Sequence, residues 1–523
     1  MSLREELLLH RSGEKSIPVV PALCVLPLAL LLLGLVLRAG IGPYFLGANQ
    51  DPAYPYLLNS LNILSGRAPS HIDHPGTPLQ VLGAVVLWVR WRLGGGGASE
   101  PLDHSVLGDP EGYLHAISTA LMLFVCLAHF LAGAWVYRVS RRLAPALFLQ
   151  LGVFCFPQLV FAMVNVSPEP LLLAAGLLLV PALVAGATGR EEWRGCLVGA
   201  ALGFGVASKV TFIPLVPLLF LFRSLKARAA ALLSCLIAFL FCTIPIQGSY
   251  PRLYEWLKAL LLHKGRYGEG EPGVADLPVL LHNLAELSAG EPFLSATLAG
   301  YLMLLLFLCL SRQRGEGSPF RLLLVVALVI AAQLVVTAKH PSAHYLLPSM
   351  ALGVLGNAAL FLWAQTTGRR RLCRGMALFL VLGLVLSLGP VRSRFQGAQS
   401  MAAAERELAR YLTGNPGARV VPYYRSNSEQ YALSFGNIFA GGFFAEELDR
   451  RFPEALFYDM WKARFYSFKG AVPDASVQQL VQSGAGVVLT GAPLPYTRPG
   501  AQLTLRPVST GGGVALYRLG ATE

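Results

Sequence analysis

The chain has 523 residues, 54% of them apolar and only 14% charged, with a mean hydropathy of +0.55. Soluble domains carry about 25% charged residues and disordered chains are poor in apolar ones, so the composition argues against both. Its formal net charge is +13, but the cations sit in short clusters between apolar runs, which is the pattern of membrane topology and not of a nucleic-acid-binding face.

All eight cysteines lie in or beside apolar runs, and no Cys-x-x-Cys spacing occurs. A disulfide framework and a zinc site of that kind are therefore not expected. Met1 to Ser16 is polar and is followed by a long apolar run with no small-residue cleavage site, so it reads as a retained signal anchor.

In chain order, apolar runs of membrane-spanning character fall at 18–38, 113–137, 144–164, 170–188, 195–208, 210–222, 229–247, 293–311, 322–338, 345–366 and 375–390. The run over 195–222 is broken at Ser208-Lys209 and by Pro214, and is read as a hairpin of two short helices. Between the first two spans lies a polar stretch, 39–112. In it Pro78 to Leu93 carries Arg90 and Arg92, and reads as an amphipathic helix at the membrane surface. With the N-terminus in the cytoplasm and eleven spans, every cluster of Arg and Lys between spans falls inside, as topology rules require. The external face then receives 39–112, 165–169, 208–210, 248–292, 339–344 and 391–523.

The expected architecture is a polytopic α-helical membrane protein. Residues 1–390 form the transmembrane unit and 391–523 a small α/β domain outside the membrane. In that tail Glu405 to Tyr411, Glu446 to Phe457 and Ala475 to Gln482 read as helices. Arg419 to Tyr424, Val487 to Leu489 and Val514 to Leu519 read as strands.

Ionisable groups at spans cost several kcal/mol unless paired or used, and the notable ones share the external face. Asp51, in Asn49-Gln50-Asp51-Pro52-Ala53-Tyr54, suits a general base or a helix N-cap. His71-Ile72-Asp73-His74 places a carboxylate between imidazoles. Either a divalent metal site or turn chemistry fits it, and structural use is favoured. Glu169, in Ser167-Pro168-Glu169-Pro170, is a helix cap or a second acid facing Asp51. Lys209, inside the broken run, meets an anion such as a phosphate or snorkels to the interface. Lys339, His340, His344 and Tyr345 between two spans could grip a phosphate or a sugar or form a solvated turn. Arg266 and Tyr267 lie in a glycine-rich external loop suited to a lid or to plain flexibility. Two acids with several cations and aromatics on one face suit a lipid-phosphate substrate.

This order of motifs resembles the GT-C superfamily of integral-membrane glycosyltransferases, within it the protein-mannosyltransferase-like bacterial enzymes (glycosyltransferase family 39-like) that include the lipid A aminoarabinose transferases. The resemblance covers about 18–390. Asp51 matches the family's Asp after the first span. His74-Pro75-Gly76-Thr77-Pro78-Leu79 is similar to the family's His-Pro-Pro-Leu-like or Lys-Pro-Pro-Leu-like motif, with two extra residues. Ser167-Pro168-Glu169 is similar to Ser-Pro-Asp, and Ser208-Lys209-Val210 to Thr-Lys-Gly. His344-Tyr345-Leu346-Leu347-Pro348 is similar to Arg-Tyr-Leu-Leu-Pro, with His in place of the cation.

The resemblance implies an inverting transfer of a hexosyl or pentosyl group from a polyprenyl-phosphate donor to a lipid, glycan or protein acceptor outside a bacterial inner membrane. It casts Asp51 as the base and Lys209, with Lys339 and His344, as partners of the phosphate. Glu169, Asp73 and His74 would position the substrates, with Tyr54, Tyr345, Arg266 and Tyr267 as further contacts. No metal is required, although a divalent ion is compatible. The alternative is a flippase or binding protein for lipid-linked sugars, but no inverted repeat is visible in the sequence. A phosphoethanolamine or phosphoglycerol transferase would need an external domain rich in metal ligands, and 391–523 holds no histidine.

Overall fold

The computed structural model describes residues 18–46, 50–94, 100–185, 191–265, 268–312, 317–414, 418–422, 428–459, 464–473, 475–476, 479, 486–491, 503–511 and 514–521. Among these, seven helices are long and apolar enough to cross a membrane. The first is α1 (Val19–Ile41), whose Leu28, Leu32 and Val36 are exposed while Leu23, Leu30 and Leu37 are buried. One face thus packs on the bundle and the other is suited to lipid, since an apolar face of this extent is rare on a soluble surface.

The polar stretch that follows is itself helical: α2 (Gln50–Leu64), α3 (Thr77–Leu93) and the short α4 (Leu102–Gly108). The expected surface helix is α3. Gly76 before it has φ 69°, and a Cβ there would lie 2.6 Å from the Tyr56 hydroxyl. Glycine is thus required at this turn, and Pro78 follows in the first helical turn, where its missing N–H costs nothing.

Beyond α5 (Pro110–Ser140), two expected spans are broken. The first comprises α6 (Leu143–Gly152), a 3-10 turn at Val153–Cys155 and α7 (Pro157–Ala162). The second comprises α8 (Glu169–Leu177) and α9 (Val180–Leu183). Pro157 and Pro181 each open a new piece because proline cannot donate within a helix. Next come α10 (Glu191–Ser208) and a 3-10 helix over Val210–Leu221 with Pro214 and Pro217 inside it. The backbone is extended at Lys209 (φ −161°, ψ 134°), so the break anticipated there is real.

The remaining elements of the membrane part are α11 (Leu225–Cys242), α12 (Tyr250–Leu262), α13 (Leu277–Gly290), α14 (Pro292–Leu310), α15 (Phe320–Lys339), α16 (Leu347–Thr366) and α17 (Arg370–Gly414). Two of these, α12 and α13, lie in the stretch 248–292, expected as an external loop. The seven span-length helices occupy seven of the eleven expected positions; α6–α7, α8–α9, α10 and the 3-10 helix occupy the other four.

The tail departs from expectation in three places. The helix expected at 405–411 is the end of α17, which runs on unbroken through Pro390 for 45 residues. The helix expected over 446–457 is α19 (Ala445–Arg451), which stops before Pro453, and Phe457 already opens a strand. Between α17 and α19 lies an unforeseen helix, α18 (Glu429–Phe439), whose N-cap Ser428 accepts from the Tyr431 N–H. Of the helix expected at 475–482, several residues lie outside the described ones.

Strands β1 (Ala418–Pro422), β5 (Gly486–Gly491), β7 (Val514–Ala521) and β6 (Leu503–Gly511) form one sheet in that order. The β1–β5 pair is parallel and the other pairs are antiparallel. Strands β2 (Phe457–Asp459), β3 (Arg464–Ser467) and β4 (Gly470–Val472) form a second, antiparallel sheet. The tail is thus α/β, and α18 packs directly onto α2. A Cβ at Gly436 would lie 2.9 Å from the Tyr54 carbonyl carbon.

Candidate functional site

A cavity of about 580 Å³ opens where the broken elements meet. Each wall owes its place to a local irregularity. The floor holds Glu169, the first residue of α8, and Lys209, the extended residue between α10 and the 3-10 helix. Both are buried. Lys209 Nζ lies 2.6 Å from Glu169 Oε1 and 4.8 Å from the Tyr345 ring centroid. Glu169 stands at a helix N-terminus, where negative charge is favoured.

The second wall is the loop between α2 and α3. Asn59 Oδ1 accepts the N–H groups of Ser70 (2.7 Å) and His71 (3.2 Å). Gln80 Nε2 donates to the His71 carbonyl at 2.7 Å. These bonds hold His71, Asp73 and His74 on the cavity. The His71 ring stands edge-on to Tyr56 and Phe439, with centroids 5.3 Å away in each case. His74 meets Trp256 of α12 at 5.8 Å. Burial pushes the pKa of His71 down, Lys209 and Arg252 add to that, and Asp73 opposes it. His74 is pushed well below its usual value, first by burial and then by Lys209 and His71. Both imidazoles are therefore neutral near pH 7, and the Nδ1 of each is buried with no hydrogen-bond partner among the described residues. Such atoms cost about 1–3 kcal/mol when left unpaired, and a ligand hydroxyl would satisfy them.

The third wall comes from the turn before α16. His344 Nδ1 lies 2.6 Å from Ser342 Oγ, and the Tyr345 carbonyl accepts from the buried Gln333 at 2.9 Å. Arg394 of α17 and Phe439 of α18 complete the enclosure.

The structure thus brings Glu169, Lys209, Asp73, His74, His344 and Tyr345 to one cavity. Asp51 is the second residue of α2, and its neighbour Pro52 lines the cavity. The Asp51 side chain is outside the described residues, as are Arg266 and Tyr267. Lys339 is placed elsewhere: its Nζ donates to the carbonyls of Leu260 (2.5 Å) and Leu261 (2.9 Å), holding the end of α12. Tyr54 is also apart. Its hydroxyl donates to Glu111 Oε1 at 2.8 Å, and Glu111 accepts as well from the N–H groups of Tyr44 (2.7 Å) and Phe45 (3.0 Å). Glu111 therefore ties together the two chain segments that flank Asp51.

Sequence reasoning missed Arg394, Glu111 and Phe439. Arg394 had a signal, since it is a cation just past the last expected span, on the side expected to be external, against the inside bias of the others. Phe439 had none, because its place depends on how α18 docks. Among the described residues no group of three or more His, Cys, Asp or Glu side chains is arranged to hold a metal ion.

No family model matches the sequence, and no curated protein matches it. Solved structures do match in fold. One is ArnT from Cupriavidus metallidurans in the apo state, aligned at a TM-score of 0.53 and 14% identity over 94% of this chain and 97% of that one. Another is the same protein bound to undecaprenyl phosphate, at a TM-score of 0.48 with the same identity and coverage. The chain has the ArnT-like fold, a polytopic helical membrane architecture, along nearly its whole length.

Proposed function

We propose that the protein is a membrane glycosyltransferase that takes a sugar from a polyprenyl-phosphate donor and passes it to a lipid, glycan or protein acceptor at the outer face of a bacterial inner membrane. One observation carries the reading: a buried lysine, Lys209, lines the cavity, where it faces Glu169 and Tyr345. A buried ammonium with room beside it fits an anionic group. The ArnT-like fold supports a lipid-phosphate donor as that anion.

In this reading the donor phosphate lies against Lys209, with His344 and Tyr345 beside it. Asp73, His74 and Glu169 contact sugar or acceptor. Asp51, next to Pro52 on the cavity wall, takes the proton of the acceptor hydroxyl as the new glycosidic bond forms. The acceptor oxygen so activated attacks from the face opposite the leaving phosphate, so the anomeric centre inverts. The phosphate leaves as an anion and needs no proton, and cations aimed at it supply the electrostatic stabilisation. The sugar is a hexose or pentose. The N-terminus would lie in the cytoplasm and the α/β tail outside.

The test is donor consumption by purified protein in membrane extract, followed by mass spectrometry over a panel of polyprenyl-phosphate sugars. Wild-type protein is expected to consume one donor, and Asp51→Asn to lose about a hundredfold or more in turnover while still inserting and folding. Lys209→Ala is expected to weaken donor binding. Donor that is bound but never consumed would favour a flippase or binding protein.

A further inference from the structure

The outer end of α17 carries a cation in an unusual state. Arg394 is exposed on the cavity wall. One terminal guanidinium nitrogen donates to Gln158 Oε1 at 2.8 Å, and its Cζ lies 5.5 Å from the Phe161 ring centroid. Gln158 in turn donates through Nε2 to Glu291 Oε1 at 3.1 Å. The direct partner of Arg394 is thus a neutral amide, and among the described residues no carboxylate lies within ion-pair distance of it. Lys209 differs, since Glu169 at 2.6 Å already balances its charge. Arg394 is thus the cavity-wall cation without a directly paired carboxylate among the described residues, Glu291 acting on it across Gln158.

The reaction proposed above changes the charge of its donor. The acceptor oxygen bonds to the anomeric carbon and its proton passes to Asp51. The bond from that carbon to the phosphate oxygen breaks, and the electron pair stays on the phosphate. A diester with one negative charge becomes a monoester, which carries close to two at neutral pH because its second pKa is about 6. Lys209, balanced by Glu169, offers a site for the first charge. The second needs another cation, and a guanidinium presents a planar fork matched to two phosphate oxygens.

We propose that Arg394 binds the departing lipid phosphate and receives the negative charge that appears on it during transfer. This inference rests on the glycosyltransferase reading and goes beyond it in separating the two cations by role. Gln158 would hold the guanidinium in place before the donor arrives.

Two probes test it: a long-chain alkyl phosphate monoester and its methyl diester, bound to the full-length protein in detergent at a pH well above about 6. Wild-type protein is expected to prefer the monoester. Arg394→Gln is expected to lose at least roughly tenfold of that preference while its diester affinity holds, and Arg394→Lys to retain part of it. A structural role would instead weaken both probes together, and that result, like an unchanged preference in Arg394→Gln, overturns the proposal. If Arg394→Gln does not fold, Arg394→Lys carries the test: a full wild-type preference there denies the fork any role. Wild-type protein that binds both probes equally overturns this inference and leaves the transferase reading standing, whereas wild-type protein that binds neither overturns both.

Discussion

The His71 ring meets Phe439 and the His74 ring meets Trp256, the charge of Lys209 acts on both, and both imidazoles are held neutral. Their folded pKa values lie below the unfolded value of about 6.5, so above that pH neither state binds a proton and the pair is neutral in effect. As pH falls through about 6.5 the unfolded chain takes up protons that the folded one refuses, and stability is lost until the folded pKa values are reached. Thermal unfolding in detergent between about pH 8 and pH 5 should show this acid-side loss, and His74→Gln should flatten it. A curve with the same slope in the variant would deny the imidazoles that role. These residues were legible in the sequence because charged and aromatic types stood out against an apolar background. The pairing of Lys209 with Glu169 was less so: both were singled out, but only the fold shows them 2.6 Å apart. A buried pair of this kind is costly to break, by about 3–5 kcal/mol when one partner is removed, so position and charge are bound together here.

Among the elements, α10 and α11 make the closest helix contact. Gly195, Gly199 and Gly203 recur every fourth residue along α10, and a Cβ on each would lie 2.5, 2.1 and 2.2 Å from the carbonyl oxygens of Ala227, Ala231 and Cys235. Small residues at this spacing let two backbones meet in a membrane, where apolar burial between helices gives little drive. Gly199→Leu should separate the pair and destabilise the fold by about 1–3 kcal/mol or more, read as a lower unfolding temperature in detergent, with Lys209 displaced at the end of α10. An unaltered unfolding temperature would show that the helices can part freely. The positions of the expected spans were legible, because apolar runs and prolines report them directly, whereas α12 and α13, in a stretch read as a loop, were not. The unbroken run of α17 past Pro390 was not, since the change of composition near residue 391 looked like the end of an element.

At the scale of the whole molecule, the tail is fastened to the membrane unit. Asn62 Nδ2 donates to the Ala440 carbonyl at 2.9 Å and Asn59 Nδ2 to that of Phe439 at 3.2 Å. These bonds fasten the end of α18 over α2, and Phe439 is thereby set into the cavity wall. Gly436→Val would drive a side chain into the Tyr54 backbone, and it is expected to release α18. Limited proteolysis should then cut the tail faster and donor turnover should fall, while the spans stay inserted. A tail as resistant as the wild type would mean that α18 docks by other contacts. None of this docking was legible in the sequence, which marked the tail as α/β and external but gave no sign of which helix it covers.

The docking of Phe439 also sets an order of events during synthesis. The ribosome delivers Glu169, Lys209 and Arg394 before it delivers α18, and chains emerge at about 5–20 residues per second. For that interval the charged groups of the cavity are already in the membrane with one wall still missing. The cavity of the nascent chain thus stays open on one side until α18 arrives and seats Phe439.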